Sequence, residues 1–206
     1  MFMADIRLSQ LLAARLCHEL VGPVTAVING AEIIGDADIG TDPDALALLR
    51  ESAQRTGRRL QFYRFIYGFV DEGGAAGPPP YQLAADFFAN SRLSCRYGET
   101  ARARPLREQQ LGCNLLALGA EMLPRSGSLA IDVVAAGLRL EATGEGIAAD
   151  PEQLAALSLS LPMAALTPRT VQGYFTALLA RSYGARLIAE NNPPRRLTIT
   201  AARAKD

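Results

Sequence analysis

The chain has a single histidine, His18, which stands inside the segment ARLCHELVGPVTAVINGAEII, residues 14–34. A lone helical imidazole is ordinarily a satisfied core residue, so the phase of its neighbours decides what this one is. With residues 8–35 wound at about 100° each and His18 at zero, Leu12, Leu16, Leu20, Pro23, Val24, Val27, Ala31 and Ile34 fall in a stripe centred opposite it. That stripe is a core face. Around His18 lie Leu11, Ala14, Arg15, Gly22, Thr25 and Asn29, mostly small or mildly polar. His18 is expected to face solvent, where its ring is open to chemistry.

Other residue sets are weaker candidates. Cys17, Cys95 and Cys113 are odd in number, widely spaced and set in apolar helical surroundings. They read as buried thiols, not as a disulfide framework or a zinc site. Gly144 and Gly146 could cradle a phosphate or simply turn the chain. Lys+Arg and Asp+Glu are equal at 21 each, so no global field draws nucleic acid or an anionic membrane, and partners must be recognised locally. The opening MFMADIRLSQ lacks the apolar stretch of a signal peptide, and no window holds about 18 uninterrupted apolar residues. A cytoplasmic location is expected.

The elements that must position His18 follow from periodicity. Asp42 before Pro43 supplies an N-cap and a first-turn proline for a second helix. Along it Leu46, Leu49, Ala53, Thr56, Leu60, Tyr63, Tyr67 and Val70 step as a heptad seam. Two helices of about 40 Å make an antiparallel hairpin whose apolar stripes are too wide for each other, and a two-fold dimer forming a four-helix bundle is the expected repair. DEGGAAGPPP, residues 71–80, reads as a linker. Beyond it the pattern predicts helices in YQLAADFFANSRL, REQQLGCNLLALGAEML and PRTVQGYFTALLARSYG. A hairpin is predicted around Ala136 and Gly137, with strands ARLIAE and RRLTITAAR separated by NNPP. The organisation is a helical hairpin over 1–72, a linker over 73–80 and an α/β sandwich domain with a mixed sheet over 81–206.

HELVGPVT resembles the phosphoacceptor box of two-component histidine kinases, matched by His18, Glu19, Leu20, Pro23 and Val24. Together with RLQFYRFIYG, the Gly/Pro linker, LPRSGSL and PRTVQGYFTALLARSYGARL, nearly the whole chain resembles the ChpT-type histidine phosphotransferases. The resemblance implies a dimeric hairpin bundle followed by a domain similar to the kinase ATP-binding domain. It also shows departures from an active kinase. In NLLAL, Asn114 is kept but Leu118 stands where kinases place a Mg²⁺-holding Asn. In ATGEG, Ala142 replaces the Asp that reads adenine, and VQGYF offers no run of glycine amides to phosphates. Gly144 to Gly146 then reads as a strand-to-loop turn.

What the resemblance implies for the site is a phosphoryl group carried on His18 Nε2. Glu19 is a candidate partner for Nδ1–H, the alternative being a solvated carboxylate. Leu11, Ala14, Gly22, Thr25 and Ala26 leave room for a docked receiver domain. Arg15 meets an acid or the phosphoryl group, or stays solvated, and Pro23 should bend the helix just after the histidine. The chain itself is expected to hold no cofactor, with Mg²⁺ supplied by the receiver. The implied partners are a second copy of this chain, the receiver of a hybrid histidine kinase and a response-regulator receiver. Two rivals remain, an ATP-dependent histidine kinase and a non-catalytic adaptor that binds receivers.

Overall fold

The computed structural model describes residues 2–35, 43–70, 77–192 and 195–203, with side chains from Ile6 onward. Helix α1 spans Phe2–Gly35 and continues through Pro23 without a break. Helix α2 spans Pro43–Tyr67 and returns antiparallel, which sets Gly30 against Leu49 and Glu19 against Arg59. A side chain at Gly30 would meet Leu49 at 3.3 Å, so glycine lets the two backbones approach there. Asp42, the connection 36–42 and linker residues 71–76 lie outside the described residues.

The second domain starts at Pro80, which opens helix α3 (Pro80–Phe88) and is buried. Strand β1 (Leu93–Tyr97), the short α4 (Glu99–Arg102), α5 (Leu106–Met122), β2 (Gly127–Val134) and β3 (Gly137–Gly144) follow. Then come α6 (Pro151–Leu157), a 3₁₀ turn at Met163–Ala165, α7 (Val171–Ser182), β4 (Ala185–Asn192) and β5 (Arg196–Arg203). The five strands lie in the order β1-β2-β3-β5-β4. Only β1 and β2 are parallel, so the sheet is mixed. Register stacks Ile131 beside Leu140 and Leu140 beside Ile199, and these are buried with Leu115, Leu116 and Leu118 of α5. Gly137 makes the β2–β3 turn at φ 141°, where a Cβ would lie 2.1 Å from the Ala201 carbonyl.

Several expectations need correction. YQLAADFFANSRL is helical only to Phe88, because Asn90 takes φ 59° and the chain then enters β1. The heptad seam does not run on a helix to Val70. Helix α2 ends at Tyr67, where α5 takes its last carbonyls: Gln110 donates to Phe65 and Gly68 at 2.8 Å each, and Asn114 to Ile66 at 3.0 Å. The aromatic end of the seam is not bundle core alone. Phe62 stacks on Phe87 at 4.2 Å, Tyr67 meets Phe175 at 5.6 Å edge-on, and Phe62 and Ile66 join the second domain's core. Of the cysteines only Cys113 is buried; Cys95 is half-buried on a strand, and Cys17 is exposed on the flank of α1.

Residues Ile6–Gly35 are long and apolar enough, at mean hydropathy 1.5, to cross a membrane by length and composition alone. Within that stretch Arg15 and Glu19 are ion-paired to residues of α5 and α2, which turns this face of α1 toward protein.

Candidate functional site around His18

His18 is exposed at mid-length on α1, as its helical phase predicted. The residues at −3 and +1 from it are tied down. Arg15 Nε donates to the Tyr67 hydroxyl at 3.0 Å, and its Nη2 pairs with Glu121 of α5. Glu19 Oε2 accepts from Tyr63 Oη at 3.0 Å and from Arg59 Nη2. The Tyr63 and Tyr67 rings stack 5.9 Å apart between these two clusters. Arg59 lies over Phe87 of α3 at 5.1 Å and near the Tyr63 ring at 5.9 Å.

Two sequence-derived readings take definite form. Of the alternatives for Arg15 the structure shows the acid: it is half-buried against the second domain, because at about 60° round the helix from His18 it meets Tyr67 and Glu121. Glu19 does not bond His18. Its Oε2 is taken by α2, which lies on the side of α1 that Glu19 faces. Ala14, Gly22, Thr25 and Ala26 are exposed with His18, and Leu11 is half-buried. Gly22, Pro23 and Ala26 line, with Ser52 and Arg55 of α2, a shallow cavity of ≈ 270 Å³ one to two turns from His18. Ser52 and Arg55 were not singled out from the sequence. The antiparallel register, which opposes residues on the two helices, is the signal that finds them.

Burial lifts the Glu121 carboxyl to about 7, with Arg15 pulling the other way and Glu19 adding to the rise. Burial, reinforced by Glu19, raises the Tyr63 phenol far above its ordinary value. Tyr63 is thereby a fixed proton donor to Glu19.

In the second domain the positions compared with a kinase are packed shut. Leu118 and Ala142 are buried, and a side chain at Gly173 of VQGYF would meet Leu157, Ala156 and Leu118 at 3.5 to 3.7 Å. A side chain at Gly144 would lie 2.5 Å from Leu123, and Gly146 sits at φ 73°, which suits a strand-to-loop turn. Asn114 has become a tie between domains. Besides the Ile66 carbonyl it holds Gln172, whose Nε2 donates to Asn114 Oδ1 at 3.0 Å, while Tyr67 donates to Gln172 Oε1 at 2.5 Å. A continuous polar chain runs from Asn114 through Gln172 and Tyr67 to Arg15 and Glu121, joining α5, α7, α2 and α1. Gln172 is the centre of this bridge.

An exposed histidine on a helical hairpin, backed by an α/β domain, is an arrangement suited to phosphoryl carriage. The model of the histidine phosphotransferase C-terminal domain matches residues 81–195, and the chain belongs to that family, of the ChpT type. It is 28% identical over 191 residues, 90% of each chain, to the protein phosphotransferase ChpT of Brucella abortus (strain 2308). A 1.7 Å structure of a bacterial phosphotransferase superposes with a TM-score of 0.70 at 28% identity, covering 94% of this chain and 95% of its own.

Proposed function

We propose that this protein is a phosphorelay carrier. His18 Nε2 takes a phosphoryl group from the receiver aspartate of a hybrid histidine kinase and passes it to the receiver aspartate of a response regulator, reversibly and in the cytoplasm. The P–O bond of the acyl phosphate breaks as the N–P bond forms, and the imidazole keeps its Nδ1 proton and gains positive charge. Positioning and charge neutralisation are the main demands of such a transfer, and the receiver's Mg²⁺ meets the second. The observation that carries the reading is the exposure of His18 beside small, exposed neighbours while the charged groups next to it are drawn aside. The receiver docks over Leu11, Ala14, Gly22, Thr25 and Ala26 and into the cavity bordered by Ser52 and Arg55. Arg15 is assigned to domain docking.

The carrier works without ATP. Leu118 and Ala142, at the positions where a kinase would contact Mg²⁺ and adenine, are buried among apolar side chains. The working form is a homodimer: Val21 (61% exposed), Ile28 (51%) and Leu60 (50%), with Val24 and Leu46, leave an apolar flank on the hairpin that a second copy covers as a four-helix bundle.

The test is the fate of a radiolabelled phosphorylated receiver. Wild type should drain label from the receiver onto itself in acid-labile form. His18→Ala should take none and leave the receiver's lifetime unchanged, since Gly22, four residues after His18, has no side chain to orient a hydrolytic water. Label on the folded mutant would defeat the assignment of His18. Accelerated hydrolysis by the mutant would make the protein a phosphatase as well.

A further inference from the structure

We infer that Arg59 is a positioning residue for phosphoryl transfer, acting on His18 through Glu19 and held in place by the second domain. The inference rests on the reading of His18 as phosphoryl acceptor. Arg59 sits on α2 with its guanidinium over Phe87 of α3 and beside Tyr63. Its Nε is buried with no hydrogen-bond partner, so the guanidinium is held by ring faces, one carboxylate and a long bond of 3.5 Å to the Tyr63 hydroxyl. That carboxylate is Glu19, adjacent to the phosphoacceptor. Arg59 and Tyr63 both bind Oε2, and among the described residues no partner occupies Oε1.

Two consequences follow. The Glu19 side chain is fixed through one oxygen, and the other remains the acceptor for an imidazolium Nδ1–H. The charge of Glu19 is also compensated one residue from His18. A phosphorylated receiver brings a phosphoryl dianion and an acidic pocket to this spot, and an uncompensated carboxylate would repel both. At about 10 Å and an effective permittivity of about 20, one unpaired charge changes such an encounter by roughly tenfold for each unit of net charge left on the receiver's site. Phe87 makes the second domain part of this arrangement although it is remote in sequence and outside the hairpin.

The experiment compares transfer from a radiolabelled receiver to wild type, Arg59→Met, Arg59→Lys, Glu19→Gln and the double variant Arg59→Met/Glu19→Gln. Far-ultraviolet circular dichroism and thermal unfolding are run on each. Methionine keeps the contact with Phe87 but lacks the charge. Arg59→Met should slow transfer about tenfold, with a defect that shrinks as salt is raised. Arg59→Lys should restore most of the rate. At high salt, where the charge contribution is screened, Arg59 has nothing left to act on in the double variant, so its rate should equal that of Glu19→Gln alone. If at high salt the double variant is slower than Glu19→Gln by the full remaining Arg59→Met factor, or if folded Arg59→Met transfers at the wild-type rate, the inference falls. A wild type that takes no label from any phosphorylated receiver defeats instead the reading of His18 on which it rests.

Discussion

Replacing Asn114 by leucine tests whether this residue, retained inside a kinase-like motif, now fastens the two parts of the chain. Asn114 is fully buried. Its Nδ2 donates to the Ile66 carbonyl at the end of α2, and its Oδ1 accepts from Gln172. Leucine fills nearly the same space, so the loss falls on the stranded partners. The Ile66 carbonyl loses its donor from α5, and Gln172 Nε2 keeps only Thr176 at 3.3 Å. Each buried group left without a partner costs about 1–3 kcal/mol, partly offset by the gain from a buried apolar side chain, which leaves a destabilisation of about 2–4 kcal/mol. For a chain of this size that lowers Tm by about 5–15 °C. The assay is thermal unfolding combined with amide hydrogen exchange. Protection should fall first at the end of α2 and the start of α7, where Ile66 and Gln172 lose their links to α5, before it falls in β2, β3 and β5. A loss below about 1 kcal/mol, or exchange that rises uniformly, would refute the assignment of Asn114 as an interdomain tie.

The two seam leucines should behave differently on substitution by aspartate. Leu60 is half exposed within one protomer, so Leu60→Asp should yield folded monomer by sedimentation or light scattering. Leu49 packs against Gly30, so Leu49→Asp should strand a charge between α1 and α2 and unfold the hairpin; a fully dimeric Leu60→Asp would count against the bundle face. Glu121 sets a pH dependence. Its carboxyl goes from 4.5 to about 7 on folding, so the folded chain holds a proton that the unfolded chain releases. That contribution is full below the unfolded value and is lost as pH rises toward 7, by up to about 3 kcal/mol. Denaturant unfolding at a series of pH values should show this slope in wild type and not in Glu121→Gln; parallel curves would contradict it.

Much of the architecture was legible along the chain because it rests on local periodicity. The stripe opposite His18 reported its exposure, since a helix repeats its faces every few residues whatever it packs against. The β2–β3 turn at Gly137 and the closing strands were readable from turn chemistry and alternation. Strand β1 also alternates, Leu93, Cys95 and Tyr97 against Ser94 and Arg96, but the predicted helix runs up to Leu93 and no element is predicted in the residues after it.

The sequence by itself determined that its one histidine sits on a long helix and faces out, because the phase of a helix is a local property. It also carried the departures from the kinase pattern at Leu118 and Ala142 that the resemblance implies, which are matters of residue identity. The tertiary structure alone decided what the charged neighbours of His18 do. The chain left Arg15 to an acid, a phosphoryl group or solvent and Glu19 to the imidazole or solvent, and it is Glu121, Tyr67, Arg59 and Tyr63 that claim them. Those partners lie 40 to 106 positions away. An ion pair or hydrogen bond depends on distance in space, and only the packing of α2 and the second domain against α1 brings these groups within reach.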